Sequence, residues 1–446
     1  MSQINKVEIM KNVVGIRRED KNIWERRVPL IPLHVKELIQ KHSLEVWVQS
    51  SKIRVFPDEA YSCEGAIIKE DISSCPIIFA VKEIPLHFFK KETVYIFFSH
   101  TIKGQPYNMP MLKRMMELQC TLIDYERIVN EKGLRIVFFG RQAGQAGMIE
   151  TLWALGQRLD YEGIQNPFAP LKQAYKYRNL SSAKDEVAEI GRHINKYGFD
   201  SSLVPLVCGF AGYGNVSQGA QEIFDILPSE IIEPGEIEKF FKDRNYSSNK
   251  IYKVIFKEEH MVEPISFEDK FELQDYYNNP QRYKSIFESY IPFLTILVNC
   301  IYWTPQFPRF VTKKFLKQLW GSSCPPRLRV IGDISCDVEG SIECTVKSTS
   351  PDKPVFLYNP IEERIIDGVK GNGVVVMAID NLPAEISIES SEFFGHSLVP
   401  FVPDIAKADF SEDFENCDLP PAIKKAIIIY RGKLTPDYEY MKKFIK

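Results

Sequence analysis

The sequence predicts an α/β fold, and three observations predict it. Short apolar strands alternate with helical stretches over the first third of the chain. A strand of buried type, Leu203 to Cys208, runs straight into a glycine-rich turn and then a helical pattern. Strand signals return at Arg327 to Ile331 and Val374 to Ile379. Alternation of this kind builds parallel sheets covered by helices, and 446 residues have room for two such domains. The expected architecture is two Rossmann-like domains with the active site in the cleft between them. Residues 1–141 with 383–446 would form the substrate domain, and 142–382 the dinucleotide-binding domain.

The elements follow in order. Val13-Val14-Gly15-Ile16-Arg17 reads as a strand, and Leu33 to Gln40 as a helix entered through Pro32. Leu44 to Val48, Ile77 to Val81, Val94 to Phe98 and Thr121 to Asp124 read as strands whose ends carry Lys82, His100 and Asp124. Ligands of open α/β sheets bind at the carboxyl ends of strands, so these polar endings matter. Gln142 to Leu159 is helical, with Gly144 and Gly147 permitting close packing at its start. Tyr161 to about Ser182 is polar and proline-containing, which reads as a connection between domains. The charged, Tyr-rich stretch after Pro228 has weak periodicity and reads as an insertion at about 228–300. Pro383 leads into an apolar helical stretch with Phe393, Leu398 and Phe401.

Charge and composition narrow the function. Lys and Arg number 56 against 59 Asp and Glu, a formal charge of -3, and the basic doublets are scattered. No long-range field draws the chain to nucleic acid or anionic lipid. The nine cysteines include no CxxC pair, which argues for reduced thiols and against a zinc site; no metal is expected. The longest apolar stretch, Ile291 to Trp303, is broken by Pro292, Thr295 and Asn299 and is too short to span a bilayer. The N-terminus shows neither a secretory nor a transit pattern. The chain reads as soluble and cytoplasmic, or from the mitochondrial matrix if it is part of a processed or longer chain.

The sharpest single motif is Gly209-Phe-Ala-Gly212-Tyr-Gly214-Asn215-Val216-Ser217-Gln-Gly219. Such a turn lets backbone N–H groups and a helix N-terminus meet a pyrophosphate unobstructed. Ser217 stands where the third glycine of GxGxxG usually falls. Glu233, 21 residues after Gly212, ends a possible second strand; an acid at that distance takes the ribose hydroxyls of NAD. Lys239, Lys242 and Arg244 lie close enough in sequence to meet a 2′-phosphate, so spacing leaves the coenzyme open.

Two arginine doublets, Arg17-Arg18 and Arg26-Arg27, offer guanidinium groups suited to carboxylates, although each also reads as a solvated doublet. Lys82 and His100 on strand ends could handle protons in carbonyl or imine chemistry; a lone His there also reads as structural.

The order Arg17-Arg18-Glu19, Glu25-Arg26-Arg27-Val28, Val81-Lys82-Glu83 and Ser99-His100-Thr-Ile-Lys103-Gly-Gln105 resembles the N-terminal domain of the alanine dehydrogenase, transhydrogenase and saccharopine dehydrogenase superfamily. Leu122-Ile-Asp124-Tyr-Glu126, Phe138-Phe-Gly140, Ala143-Gly144-Gln-Ala-Gly147, Gly212-Tyr-Gly214-Asn-Val-Ser217 and Asp380-Asn381-Leu-Pro383 resemble its lysine–ketoglutarate reductase branch. The resemblance runs from about Val13 to the C-terminus.

It implies an oxidoreductase that condenses L-lysine with 2-oxoglutarate and reduces the imine to saccharopine with NADPH, NADH being possible. The resemblance makes Lys82 the acid/base lysine and His100 the histidine that assists carbinolamine formation and dehydration. Glu83 and Glu126 match the acids that tune the pair, and Arg27 and Arg135 the arginines that hold substrate carboxylates, with Arg18 a further candidate. Asp337 matches a catalytic aspartate of the more distant alanine dehydrogenases and here would only line the cleft. Gly212, Gly214, Asn215, Val216, Ser217 and Glu233 would bind the coenzyme, with Asp380 and Asn381 bordering its nicotinamide. An NAD-linked enzyme running toward lysine and a catalytically silent homologue are the alternatives. Relatives fuse this reductase to a saccharopine-cleaving dehydrogenase; the length of this chain would leave that step to a separate partner.

Overall fold

The computed structural model describes residues 12–445, so the reading of the N-terminal residues before Asn12 lies outside the described ones. The chain divides into two compact units, 12–139 with 387–445 and 140–386.

In the first unit the apolar runs become six short parallel strands: β1 Val13–Ile16, β2 Glu45–Gln49, β3 Ile67–Lys69, β4 Ile77–Phe79, β5 Val94–Phe97 and β6 Thr121–Asp124. The sheet order is β6-β5-β4-β1-β2-β3, and the C-terminal strand Ile427–Tyr430 returns antiparallel beside β6, followed by Lys433–Leu434. β1, β4 and β5 are buried on both faces, as parallel strands under helices must be. Helix α1, Pro32–His42, starts on a proline whose fixed φ suits the first turn, and stops at Ser43 in the left-handed region. It buries Val35 and Leu38. β3 escaped the sequence reading because it has three residues and a half-exposed edge.

The second unit opens with helix α2, Gly140–Tyr161. It then carries a mainly parallel sheet of β7 Leu206–Ala211, β8 Ser229–Ile231, β9 Ile251–Phe256, β12 Ile296–Asn299, β13 Val330–Asp333 and β16 Val374–Met377. A small hairpin, β10 Val262–Pro264 with β11 Tyr283–Ser285, sits apart from that sheet. β14 Val355–Asn359 and β15 Arg364–Asp367 add an antiparallel edge. The order is β15-β14-β16-β13-β12-β7-β9-β8.

Two sequence expectations need correction here. Residues 228–300 are not one insertion, because β8, β9 and β12 of the main sheet lie among them; the weakly periodic part outside the sheet centres on the β10–β11 hairpin. Residues 161–182 do not join domains. They lie within the second unit, where Phe168 is fully buried and the Ala174 N–H donates to Glu150. The chain crosses between units at 139–140 and 386–387, because Met148, Leu382 and Ile386 share one core.

Candidate active site and coenzyme cavity

In the first unit, the ends of β1, β4 and β5 gather an unusual number of ionisable side chains. Glu19, three residues past β1, is buried and accepts the backbone N–H groups of Val81 at 2.7 Å and Lys82 at 3.0 Å. Burial, reinforced by the charge of Glu25, pushes its carboxyl up to about 7 against those two hydrogen bonds. The turn after β4 is thereby pinned to the turn after β1. Lys82 follows, and burial together with the Arg27 charge holds its ammonium below the ordinary range, while Glu25 and Glu83 pull the other way.

Glu83 takes His100 Nδ1 at 2.6 Å and Lys21 Nζ at 2.9 Å. Burial raises its carboxyl, but these two donors more than offset that and leave it well below the carboxylate range. A carboxylate only accepts, so Nδ1 carries the proton and Nε2 of a neutral His100 is left as acceptor. His100 has φ +49°, a left-handed backbone that a β-carbon disfavours. Asn108 Nδ2 donates to the carbonyls of Ser99 at 3.0 Å and His100 at 3.2 Å, and Ser99 N–H donates to Asp124 at 3.1 Å. Those bonds clamp the turn that presents the ring.

The arginines divide into two kinds. Arg27 and Glu25 form a bidentate pair at 2.8 and 2.6 Å with side-chain exposures of 2% and 0%, and the guanidinium lies 4.3 Å over the Phe139 ring. One edge of Arg27 is therefore already filled by a carboxylate of its own chain. Arg18 instead pairs with the exposed Glu70 at 2.6 Å and lines a cavity of ≈ 550 Å³ together with Glu19. Arg135 pairs with Glu126 at 2.7 Å and is half exposed. So Lys82, His100, Glu83 and Arg27 share one charged cluster, whereas Glu126 meets Arg135 rather than the Lys/His pair. Sequence reasoning passed over Glu19 and Glu25 as participants. Their positions two residues from Arg17 and Arg27 were visible, but their pairing was not.

In the second unit, β7 is followed at once by Gly212, whose φ of +94° needs a residue without a β-carbon. Helix α3, Asn215–Phe224, begins directly after Gly214. Its first turn holds Asn215, Val216 and Ser217; Ser217 is buried and accepts Gln221 Nε2 at 2.9 Å. A β-carbon on Gly144 would stand 1.9 Å from the Val216 carbonyl, so α2 and α3 touch backbone to backbone. In front of the turn lies a cavity of ≈ 620 Å³ lined by Gly212, Gly214, Glu258, Tyr276, Trp303 and Phe310, among others. Its aromatic walls suit a flat base, and the glycines and the N-terminus of α3 suit a pyrophosphate.

Glu233 does not line this cavity; it is exposed and follows β8 on the outer edge of the sheet. The strands beside β7 are β12 and β9, and the acid past the end of β9 is Glu258. The residue count from Gly212 leads away from this cavity because β8 is an extra edge strand between α3 and β9. Asp380 and Asn381 follow β16, three places along the sheet from β7, with Asp380 exposed. Asp337 is half-buried after β13. Among the described residues no cluster of His, Cys, Asp or Glu could hold a metal, and no helix is long and apolar enough to cross a membrane.

A glycine turn at the end of the first strand of a parallel sheet, next to an aromatic cavity, defines a nucleotide-binding dehydrogenase scaffold. Residues 15–146 match the alanine dehydrogenase/PNT N-terminal domain and residues 295–437 the alanine dehydrogenase/PNT C-terminal domain. The chain belongs to the alanine dehydrogenase/PNT family. It is 39% identical to alpha-aminoadipic semialdehyde synthase of Arabidopsis thaliana over 97% of its own length, and spans 42% of that relative. It is 27% identical to saccharopine dehydrogenase [NAD(+), L-lysine-forming] of Emericella nidulans, over 87% of this chain and 91% of that one. The solved structure of an L-alanine dehydrogenase shares the fold, with a TM-score of 0.61 at 15% identity over 97% of this chain and all of the other.

Proposed function

We propose that this chain condenses L-lysine with 2-oxoglutarate and reduces the resulting imine to saccharopine. The observation that carries the reading is the cluster at the ends of β1, β4 and β5, where a lysine with a depressed pKa stands with a histidine oriented by a carboxylate. The names of the Arabidopsis and Emericella relatives support the substrate class.

The lysine ε-amine must be neutral to attack the ketone, although its ordinary pKa is about 10.4. Lys82, whose ammonium burial and the Arg27 charge hold below the ordinary range, accepts a proton from that ammonium in its neutral form. Attack on the carbonyl gives a carbinolamine. His100 Nε2, the free acceptor, takes the proton that leaves the nitrogen as it adds and passes it to the oxygen. A second proton, taken up from solvent at the same Nε2, goes to the departing hydroxyl, water leaves, and the imine forms in its protonated state. A reduced nicotinamide, when bound, supplies the hydride, and Lys82 returns the proton that exchanges with the secondary amine. The substrates bring three carboxylates. Arg18 and Arg135 suit them best, because both guanidiniums reach solvent and can leave their present carboxylate partners at less cost than buried Arg27. Arg27 acts instead through its charge beside Lys82.

The test is an assay with L-lysine, 2-oxoglutarate and either NADPH or NADH. Loss of reduced-nicotinamide absorbance should require all three components. Absence of turnover with both coenzymes would discard the reading.

A further inference from the structure

We propose that Glu258 is the group that selects the coenzyme, taking the 2′- and 3′-hydroxyls of an unphosphorylated adenosine ribose and excluding a 2′-phosphate, so that this chain prefers NADH to NADPH. The assignment deepens the reductase reading above and rests on it for the hydride chemistry.

Three observations carry it. Glu258 follows β9, which pairs with β7 along its whole length, from Leu206 opposite Ile251 to Ala211 opposite Phe256. The Gly212 N–H also donates to the Phe256 carbonyl at 2.9 Å, which ties the glycine turn to the end of β9. A dinucleotide whose pyrophosphate sits on the turn presents its adenosine ribose at the end of this neighbouring strand. Glu258 also lines the same cavity as Gly212 and Gly214.

Its carboxylate is held ready for a donor. Tyr277 Oη donates to Oε1 at 2.7 Å, while Oε2 is buried and carries no hydrogen bond among the described residues. A buried carboxylate oxygen without a donor is costly, and two vicinal hydroxyls would supply what is missing. Tyr213 of the glycine turn lies against Glu258, whose negative charge, with a side-chain contact to it, raises that phenol.

A 2′-phosphate would meet the wrong field. The turn Lys257-Glu258-Glu259-His260 carries two acids against one lysine. Lys257 is exposed, and His260 Nδ1 is occupied as acceptor for the Lys257 backbone N–H at 3.1 Å. Arg309, the nearest arginine in sequence to Phe310 of the cavity wall, is engaged with Glu343 and the Glu339 carbonyl. Placing a phosphate dianion against a half-buried carboxylate costs several-fold to many-fold in affinity.

The experiment titrates the full chain with NADH, NADPH, ADP-ribose and 2′-phospho-ADP-ribose in the absence of lysine and 2-oxoglutarate, following tryptophan fluorescence. NADH should bind at least ~10-fold tighter than NADPH, and the two fragments should show the same ratio. Glu258→Gln and Glu258→Ala should each shrink that ratio by ~10-fold or more, mainly by strengthening NADPH. Equal or tighter binding of NADPH by the unaltered chain overturns the assignment, and so does a ratio unmoved in both variants. Loss of NADPH affinity in Lys257→Ala, with the unaltered chain favouring NADPH, would overturn it in favour of a 2′-phosphate site. Turnover separates the two claims. A protein that prefers NADH but never consumes lysine keeps the Glu258 role and loses the reductase reading; one that turns over with NADPH in preference keeps the reading and loses the role.

Discussion

His100 Nδ1 lies 2.6 Å from Glu83 Oε1, on a backbone whose φ of +49° runs against the histidine's own β-carbon. Strain of that kind persists only where the surroundings hold it, and here Asn108 and Asp124 do so. The joint variant Lys82→Met with His100→Gln should lower kcat by ~10²–10⁴. Coenzyme binding should stay close to that of the parent, because both side chains belong to the unit that lacks the glycine turn. Titration with NADH beside steady-state assay reads both numbers; coenzyme affinity that fell with turnover would contradict the roles.

The backbone at residue 100 can be probed without catalysis. Glycine tolerates the left-handed region and alanine does not. His100→Gly should therefore be more stable than His100→Ala by about 1 kcal/mol, a reversal of the usual order. Urea unfolding of the two variants measures it, and an alanine variant as stable as the glycine one would show that the turn relaxes.

Arg27→Ala is expected to act on stability before it acts on substrate affinity. Removing the guanidinium takes from Glu25, which is 0% exposed, its bidentate partner, and breaking a buried pair from one side costs about 3–5 kcal/mol. Arg27→Ala with Glu25→Gln should recover a large part of the loss. Unfolding midpoints of the single and double variants decide between this and an arginine whose only work is substrate binding, for which the single variant would unfold normally.

Much of the fold was legible because parallel strands announce themselves as short apolar runs, and β1, β4, β5, β6 and β7 all do. Lys82 and His100 were legible for a related reason: Lys82 is the first polar residue after such a run, and His100 the second, behind Ser99. Pairing was not legible. Arg27 reads as an open guanidinium until Glu25, two residues away, folds onto it, and Glu126 reads as a partner of the Lys/His pair until Arg135 claims it. Glu233 illustrates topology defeating spacing. The count of residues after Gly212 assumes that the next strand in sequence is the next strand in the sheet, and β8 breaks that assumption by taking the edge and leaving the neighbouring place to β9.

Gly144 holds the glycine turn from behind. Its β-carbon would stand 1.9 Å from the Val216 carbonyl and 2.6 Å from the Ala220 nitrogen, both backbone atoms that cannot rotate away. Gly144→Ala should cost about 1–3 kcal/mol or more as an overpacked contact and should weaken NADH binding by displacing the first turn of α3. Gly235→Ala, where nothing lies within 4 Å, is the control and should change neither. Thermal unfolding and NADH titration of both variants check the contrast.

Glu19 gives the fold a pH dependence whose sign can be worked out. Its carboxyl titrates at 4.5 in an ordinary environment and at about 7 when buried beneath Lys82. Between those values the folded protein retains a proton that the unfolded chain has released. The stability contributed by neutral Glu19 is thus complete below pH 4.5 and is lost as pH rises through 7. Glu83 runs the other way: held below the ordinary carboxylate range, it contributes above pH 4.5 and loses that contribution as pH falls. Glu19→Gln cannot titrate, so the unfolding free energy of the variant relative to the parent should rise by about 3 kcal/mol from pH 4.5 to pH 7.5. The difference isolates Glu19 from Asp124, which burial also raises, to about 6. Urea unfolding at half-unit steps of pH measures it, and parallel curves for parent and variant would mean that Glu19 stays ionised under Lys82 throughout.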